Sequence, residues 1–242
     1  MQVIEIFSPN FSKIKRHKRA IKFVVIHYTG MQSEREALHK LCSTKSRVSS
    51  HYLINRRGKV FRLVQDRNIA WHAGKSYWKK YRNLNKNSIG IELVNKGHRL
   101  GYTSFKKIQI LNLINLCVLL KKKYKIKRRD FVGHSDIALD RKIDPGEKFP
   151  WKKLAKKKLG NWHNIKNHRL EQNRKVKIRK KKDKINFVKN LSKIGYNIRS
   201  HNNKSVFSSI IKAFQRHFRN ELISGLLDKE CLIISRDLAK KT

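Results

Sequence analysis

The chain has 242 residues, 39% of them hydrophobic, with 60 Lys and Arg against 16 Asp and Glu, a formal net charge of +44. That length suits one large domain plus a small one, and the apolar share excludes wholesale disorder. The charge does not choose a function. It fits attraction to polyanions such as nucleic acid, an anionic membrane face or an anionic wall polymer, and it equally fits a codon bias towards Lys, Ile and Asn.

The N-terminal stretch "MQVIEIFSPNFSKIKRHKRA" carries Glu5 and has no continuous apolar run, so it does not read as a secretory signal. "IKFVVIHYTG" is rich in β-branched residues and predicts a buried strand ending at Gly30. Ser33 and Glu36 have capping-box spacing and open a short helix through Leu38 and Leu41. "HYLINRRGKVFRLVQ" predicts a hairpin about Gly58. In "SIGIELVN", Ile89, Ile91 and Leu93 alternate with Gly90, Glu92 and Val94, the period of a strand. Residues 104 to 120 form a helix that is apolar nearly all round and is expected to be covered on more than one side. Gln109, Asn112 and Asn115 interrupt it, which argues for a buried helix and against a membrane span. "KKLAKKKLGNW" closes the first domain as a helix.

The composition then shifts. Residues 163–184 are mostly Lys, Arg and Asn and are expected to be a solvated linker. "INFVKNLSKIGY", "SVFSSIIKAFQRHF" and "DKECLIISRDL" predict three amphipathic helices, the first capped by Gly195. The expected organisation is therefore α/β, a mixed central sheet flanked by helices over 1–162, followed after the linker by a small all-α three-helix bundle over 185–242. Cys42, Cys117 and Cys231 are far apart and odd in number, which supports core packing and no disulfide framework.

The chemistry-bearing residues are few. His27 ends a buried strand, His134 follows "FVG", and Asp144 opens a rigid Asp-Pro-Gly turn ten positions after His134. Two imidazoles and one carboxylate are a donor set that holds zinc with a fourth position open for water. By spacing alone these three remain open between ligands and unrelated loop residues.

"FVVIHYTG", "SSHYLINRRGKVFRLV", "AWHAG", "SIGIELVN" and "VGHSDIALDRKIDPGEKFPW" occur here in the order found in the type-2 N-acetylmuramoyl-L-alanine amidases, and the chain resembles that family over roughly residues 20 to 162. The resemblance implies a mixed α/β fold and Zn2+ held by His27, His134 and Asp144. It also implies hydrolysis of the amide between the muramic acid lactyl group and the L-alanine of the stem peptide, in peptidoglycan or muropeptides. Glu92 and Lys142 stand where the family has catalytic residues, and His51, Trp71 and His72 match positions near its cleft. A Glu on an apolar strand face can shuttle a proton from the attacking water to the leaving amine, and a Lys can stabilise an oxyanion. Against these stand a surface charge at Glu92, one more surface lysine at Lys142, and a packed aromatic or core histidine at His51, Trp71 and His72.

Two departures stand out. Ser50 occupies a position where some relatives have a catalytic Tyr, so the chain resembles the Glu-using branch. Leu139-Asp140 replaces a common Pro-Gly, which bears on loop shape and substrate preference. The C-terminal segment, with "AFQRHF" and "GLLDKEC", resembles the type-1 peptidoglycan-binding domain; its structural competitor is a helix-turn-helix, and with it a nucleic-acid-binding function. A catalytically dead wall receptor is disfavoured because ligands and both catalytic candidates are present. A wall substrate points to the periplasm or cell envelope and the missing signal pattern to the cytoplasm. Nothing in the residues fixes the oligomeric state, a homodimer included.

Overall fold

The computed structural model describes residues 2–198 and 203–242. Six strands make the central sheet: β1 (Val3–Glu5), β2 (Phe23–Tyr28), β3 (Tyr52–Ile54), β4 (Val60–Arg62), β5 (Ser88–Leu93) and β6 (Phe131–Gly133), in the spatial order β1-β4-β3-β5-β2-β6. All neighbours are parallel except β3 and β4, the hairpin predicted about Gly58. Gly58 sits at φ +83°, where a side chain is strained, and a Cβ would come within 2.8 Å of Ile108.

Apart from the single turn Gly97–Leu100, the α-helices of the described residues are α1 (Glu34–Cys42), α2 (Lys107–Tyr124), the one-turn α3 (His134–Ile137), α4 (Trp151–Lys156), α5 (Asn167–Asn173), α6 (Lys181–Ile194), α7 (Lys204–Phe218) and α8 (Lys229–Ala239). The Ser33 hydroxyl accepts the Glu36 N–H and caps α1, while the Glu36 carboxylate reaches back to the N–H of Gln32. None of the helices of the described residues is long and apolar enough to cross a membrane.

The period-2 alternation of β2 and β5 divides the core. Val24, Ile26, Ile89, Ile91 and Leu93 point to one face and pack with Leu113, Leu116, Cys117 and Leu120 of α2. Phe23, Val25 and Val132 point to the other and pack with Phe187, Ile210, Phe214 and Ile234 of the C-terminal helices. Further along this second face Leu53 and Phe61 lie under Ala37 and Leu41 of α1.

Two expectations change. Helix α2 is covered on its sheet side only: Ile108, Leu111, Val118 and Leu119 are 45–56% exposed. Residues 163–184 are not a bare solvated tether, because they contain α5, whose Leu170 is buried, and the first turn of α6. Arg174 there makes a two-pronged contact with the buried Glu230 at 2.8 and 2.9 Å, which ties the segment to α8. The predicted three helices are present as α6, α7 and α8, and they share one apolar cluster with the sheet. Cys117 and Cys231 are buried and all three cysteines are free thiols.

Candidate functional site

The C-terminal ends of parallel strands are where α/β sheets leave side chains unpaired and reachable. Here His27 and Glu92 are the last residues but one of β2 and β5, and α3 opens on His134 directly after β6. His27 and Glu92 are register partners on adjacent parallel strands, so both side chains leave the sheet on its second face. They lie between the stretch covered by α1 and the stretch covered by the bundle. A cleft of about 500 Å³ opens there, lined by His27, Trp71, His72, Glu92, His134, Lys142 and Asp144 among others.

His27 Nδ1, His134 Nδ1 and Asp144 Oδ2 form a nearly equilateral triangle with sides of 3.0, 3.0 and 3.1 Å. The three residues are buried and together could hold one metal ion. Ligand atoms about 2.0–2.1 Å from a tetrahedral ion stand about 3.3 Å apart, so the triangle is close to the span zinc requires. The turn that carries Asp144 is fixed from two sides: its carbonyl accepts the Ser135 N–H at 2.8 Å, and Tyr102 Oη donates to the Pro145 carbonyl at 2.7 Å.

The outer nitrogens define the tautomers. His134 Nε2 donates to the Ala73 carbonyl at 3.2 Å. His27 Nε2 lies 3.0 Å from His72 Nδ1, and His72 Nε2 lies 3.1 Å from the Ser88 hydroxyl, which itself donates to the Leu84 carbonyl at 2.6 Å. With each Nδ1 of the pair turned to the triangle, protons on the three Nε2 atoms satisfy the whole chain without a clash of donors. Gly90 makes room for it, since a Cβ there would stand 2.4 Å from the His72 ring.

Electrostatics follow from burial. Burial, then the neighbouring His134, lowers His27 to about 4, with Asp144 opposing. His72 is pushed well below its ordinary value by burial and by His27. Burial alone would raise Asp144, but the adjoining His134 and His27 imidazoles outweigh it and hold the carboxyl well below the usual range. Glu92 is pushed up to about 8 by burial and by the Asp144 charge, with Lys142 opposing. Its Oε2 is a buried oxygen with no hydrogen-bond partner among the described residues. A carboxyl of that kind exchanges protons near neutral pH.

His51 departs from expectation. It is 0% exposed and does not line the cleft. Its Nδ1 accepts the Gly90 N–H at 3.0 Å, its Nε2 faces the Asn68 carbonyl at 3.1 Å, and the Arg16 guanidinium lies 2.8 Å away. It is a core histidine that braces β5, not a substrate contact. Ser50 is likewise buried, its hydroxyl donating to the Tyr52 carbonyl. Trp71 and His72 do line the cleft; Trp71 is tied by its Nε1 to Ser12 and its backbone N–H to Ser49. Leu139 of the unusual Leu-Asp pair turns onto the second-face core. The sequence reading missed Lys40, His98 and Arg99 on the cleft wall, and the fully buried Asp136 just behind His134. An acid two residues from a candidate ligand, in a chain with so few acids, was the available signal.

Residues 17–147 match the family model described as N-acetylmuramoyl-L-alanine amidase. The N-acetylmuramoyl-L-alanine amidase AmiD of Escherichia coli is 34% identical over 233 residues, 91% of this chain and 83% of that protein. The 1,6-anhydro-N-acetylmuramyl-L-alanine amidase AmpD of Haemophilus influenzae is 32% identical over 167 residues, 62% of this chain and 88% of that protein. Among solved structures, the E. coli AmiD complex with anhydro-N-acetylmuramic acid-L-Ala-D-gamma-Glu-L-Lys superposes with a TM-score of 0.80 at 32% identity, covering 95% of this chain and 92% of AmiD. AmpDh3 from Pseudomonas aeruginosa, in complex with anhydromuramic pentapeptide, gives 0.80 at 30% identity and covers 96% of each chain. With the family model spanning more than half of its residues and AmiD alike along nearly its whole length, this chain belongs to the N-acetylmuramoyl-L-alanine amidase family.

Proposed function

We propose that this amidase holds zinc on His27, His134 and Asp144 and uses Glu92 and Lys142 to hydrolyse the lactyl–L-alanine amide of anhydromuropeptides or of peptidoglycan itself. The single observation that carries the reading is the 3.0–3.1 Å triangle of two imidazole nitrogens and one carboxylate oxygen, with the partnerless Glu92 Oε2 in the same cleft. Zinc bound there supplies a Lewis acid that polarises the scissile carbonyl and acidifies water. The protein supplies the rest. Glu92, buried in the same cleft with one oxygen free of partners among the described residues, would as a carboxylate take a proton from the attacking water and deliver it to the departing L-alanine nitrogen. Lys142, which lines the same cleft, would stabilise the oxygen on which negative charge develops. Trp71 offers an aromatic wall for the muramic ring or the peptide.

AmiD and AmpDh3 hold anhydromuramyl peptides in their complexes, and this likeness supports such a fragment as substrate here. The bundle over 185–242, similar to a peptidoglycan-binding module, adds affinity for the polymer, and the periplasm or cell envelope is where that polymer is met. The test is cleavage of a synthetic anhydromuramyl tripeptide by purified protein, before and after chelation and after zinc is restored. Activity that survives complete chelation overturns the zinc assignment; zinc-replete protein that leaves the amide intact overturns the substrate.

A further inference from the structure

Helix α3, which begins with His134, is a single turn and cannot hold itself: its few internal hydrogen bonds do not offset the entropy of ordering it. Its support is Asp136. The Asp136 carboxylate is fully buried and accepts three hydrogen bonds. The Gly133 N–H reaches Oδ2 at 2.7 Å, the Tyr196 hydroxyl reaches Oδ1 at 2.8 Å, and His217 Nδ1 reaches Oδ2 at 2.7 Å. Two of these donors belong to the C-terminal bundle, 60 and 81 residues further along the chain.

We infer that Tyr196 and His217 are positioning residues for the metal site: through Asp136 they fix the turn that aims His134, so the bundle completes the catalytic scaffold as well as any wall contact. This rests on the reading of His134 as a metal ligand. A buried carboxylate left short of donors is costly and rearranges to find new ones, and here the rearrangement would move the residue next to His134. The donors are themselves held in place. The His217 ring stacks on Trp151, with centroids 3.9 Å apart and planes 12° apart, and on Phe218 at 4.0 Å. His217 Nε2 has no partner among the described residues, so the ring's polar role is carried by Nδ1. Tyr196 packs edge-on against Trp78 at 5.0 Å. At the ligand end the fit leaves no slack: a Cβ on Gly133 would stand 2.8 Å from Pro145 and 3.2 Å from Trp151. Pro145 follows Asp144 directly, so both ligands of this loop are keyed to the same contact.

The test uses three variants of the full chain. Tyr196→Phe removes one hydroxyl and keeps the packing. His217→Asn places an amide nitrogen near the Nδ1 position, whereas His217→Gln places it nearer Nε2, and both lose the stacked ring. Zinc affinity is measured by competition with a chromophoric chelator, geometry by the visible spectrum of the cobalt(II)-substituted protein, and stability by thermal melting of metal-free protein. Tyr196→Phe and His217→Gln are expected to weaken zinc by about tenfold or more and to alter the cobalt spectrum, while His217→Asn restores most of the affinity. The Asn and Gln variants should melt alike when metal-free. Zinc affinity within about twofold of wild type in all three, or equal loss in Asn and Gln, overturns the inference and leaves these residues as interdomain glue. Asp144→Ala is the control: if it binds zinc normally, the metal reading itself has failed, and the two failures are told apart.

Discussion

One face of the central sheet, made by Val24, Ile26, Ile89 and Ile91, is sealed beneath α2; the other, made by the residues in between, carries Val25, His27, Gly90 and Glu92. The strands are the same and only the parity differs. On the first face these four positions are apolar, and what they gain is burial. On the second, Ser88, Gly90 and Glu92 interrupt the apolar run, and the face is covered at both ends but open in the middle. Stability and chemistry are thus separated by period two within each strand, so a substitution should affect one and spare the other according to its parity.

Breaking the second face at the triangle should have the largest effect. Asp144→Ala leaves two imidazoles to hold the ion, and zinc content after dialysis should fall to background with loss of nearly all turnover, while circular dichroism stays close to wild type. Next comes Glu92→Gln, which keeps shape and is not a ligand. It should retain zinc and lose roughly 10²–10⁴ in kcat, the worth of a positioned general acid–base, measured on the same protein as its metal content. Near-wild-type kcat with full zinc would remove Glu92 from the mechanism.

Smaller effects sharpen the contrast. Gly90→Ala pushes a methyl into the His72 ring, displaces the partner of His27, and should weaken zinc binding by about 10–100-fold in a chelator competition. On the other face, Leu113→Ala should cost about 2–5 kcal/mol in urea unfolding and leave zinc affinity unchanged. A loss of zinc there would show that the two faces are coupled through the sheet.

The smallest expected signal is in pH. His51 is lowered to about 3, first by burial and then by the Arg16 charge, so the folded chain keeps it neutral where the unfolded chain protonates it. The unfolded state therefore binds more protons between pH about 6.5 and 3, and stability falls as pH drops through that window. One such histidine contributes a slope of about 1.4 kcal/mol per pH unit. Denaturant midpoints for His51→Asn, whose amide oxygen can still accept the Gly90 N–H, should fall less steeply with acid by about one proton.

Much of this molecule was determined locally. The β-branched run of "FVVIHYTG", the alternation of "SIGIELVN", the cap at Ser33 and the turn at Gly58 each specify an element through contacts a few residues apart, and each is present. The candidate triad was legible because a His at a strand end, a His after "FVG" and an Asp in a rigid turn are chemically conspicuous, and their order matched a known family. His51 was left open between a cleft contact and a core histidine for the opposite reason. In the sequence it stands among motif residues, and only the packing of Arg16 and the Gly90 N–H against its ring shows that it faces inward.

What the sequence could not decide are contacts between residues far apart along the chain. The linker reading failed because composition records solvation and not pairing, so the link from Arg174 to Glu230, 56 positions away, left no trace in the local pattern. The exposed side of α2 was unreadable for the same reason, since apolarity states what a helix can bury and not whether a neighbour arrives to cover it. Asp136 is the clearest case. Its meaning depends on Tyr196 and His217, which reach it only after the bundle has docked on the second face of the sheet. Local sequence fixes backbone preference and the period of burial; the partners of a buried charge are set by tertiary structure, because a charge inside a protein is stable only where distant donors converge on it.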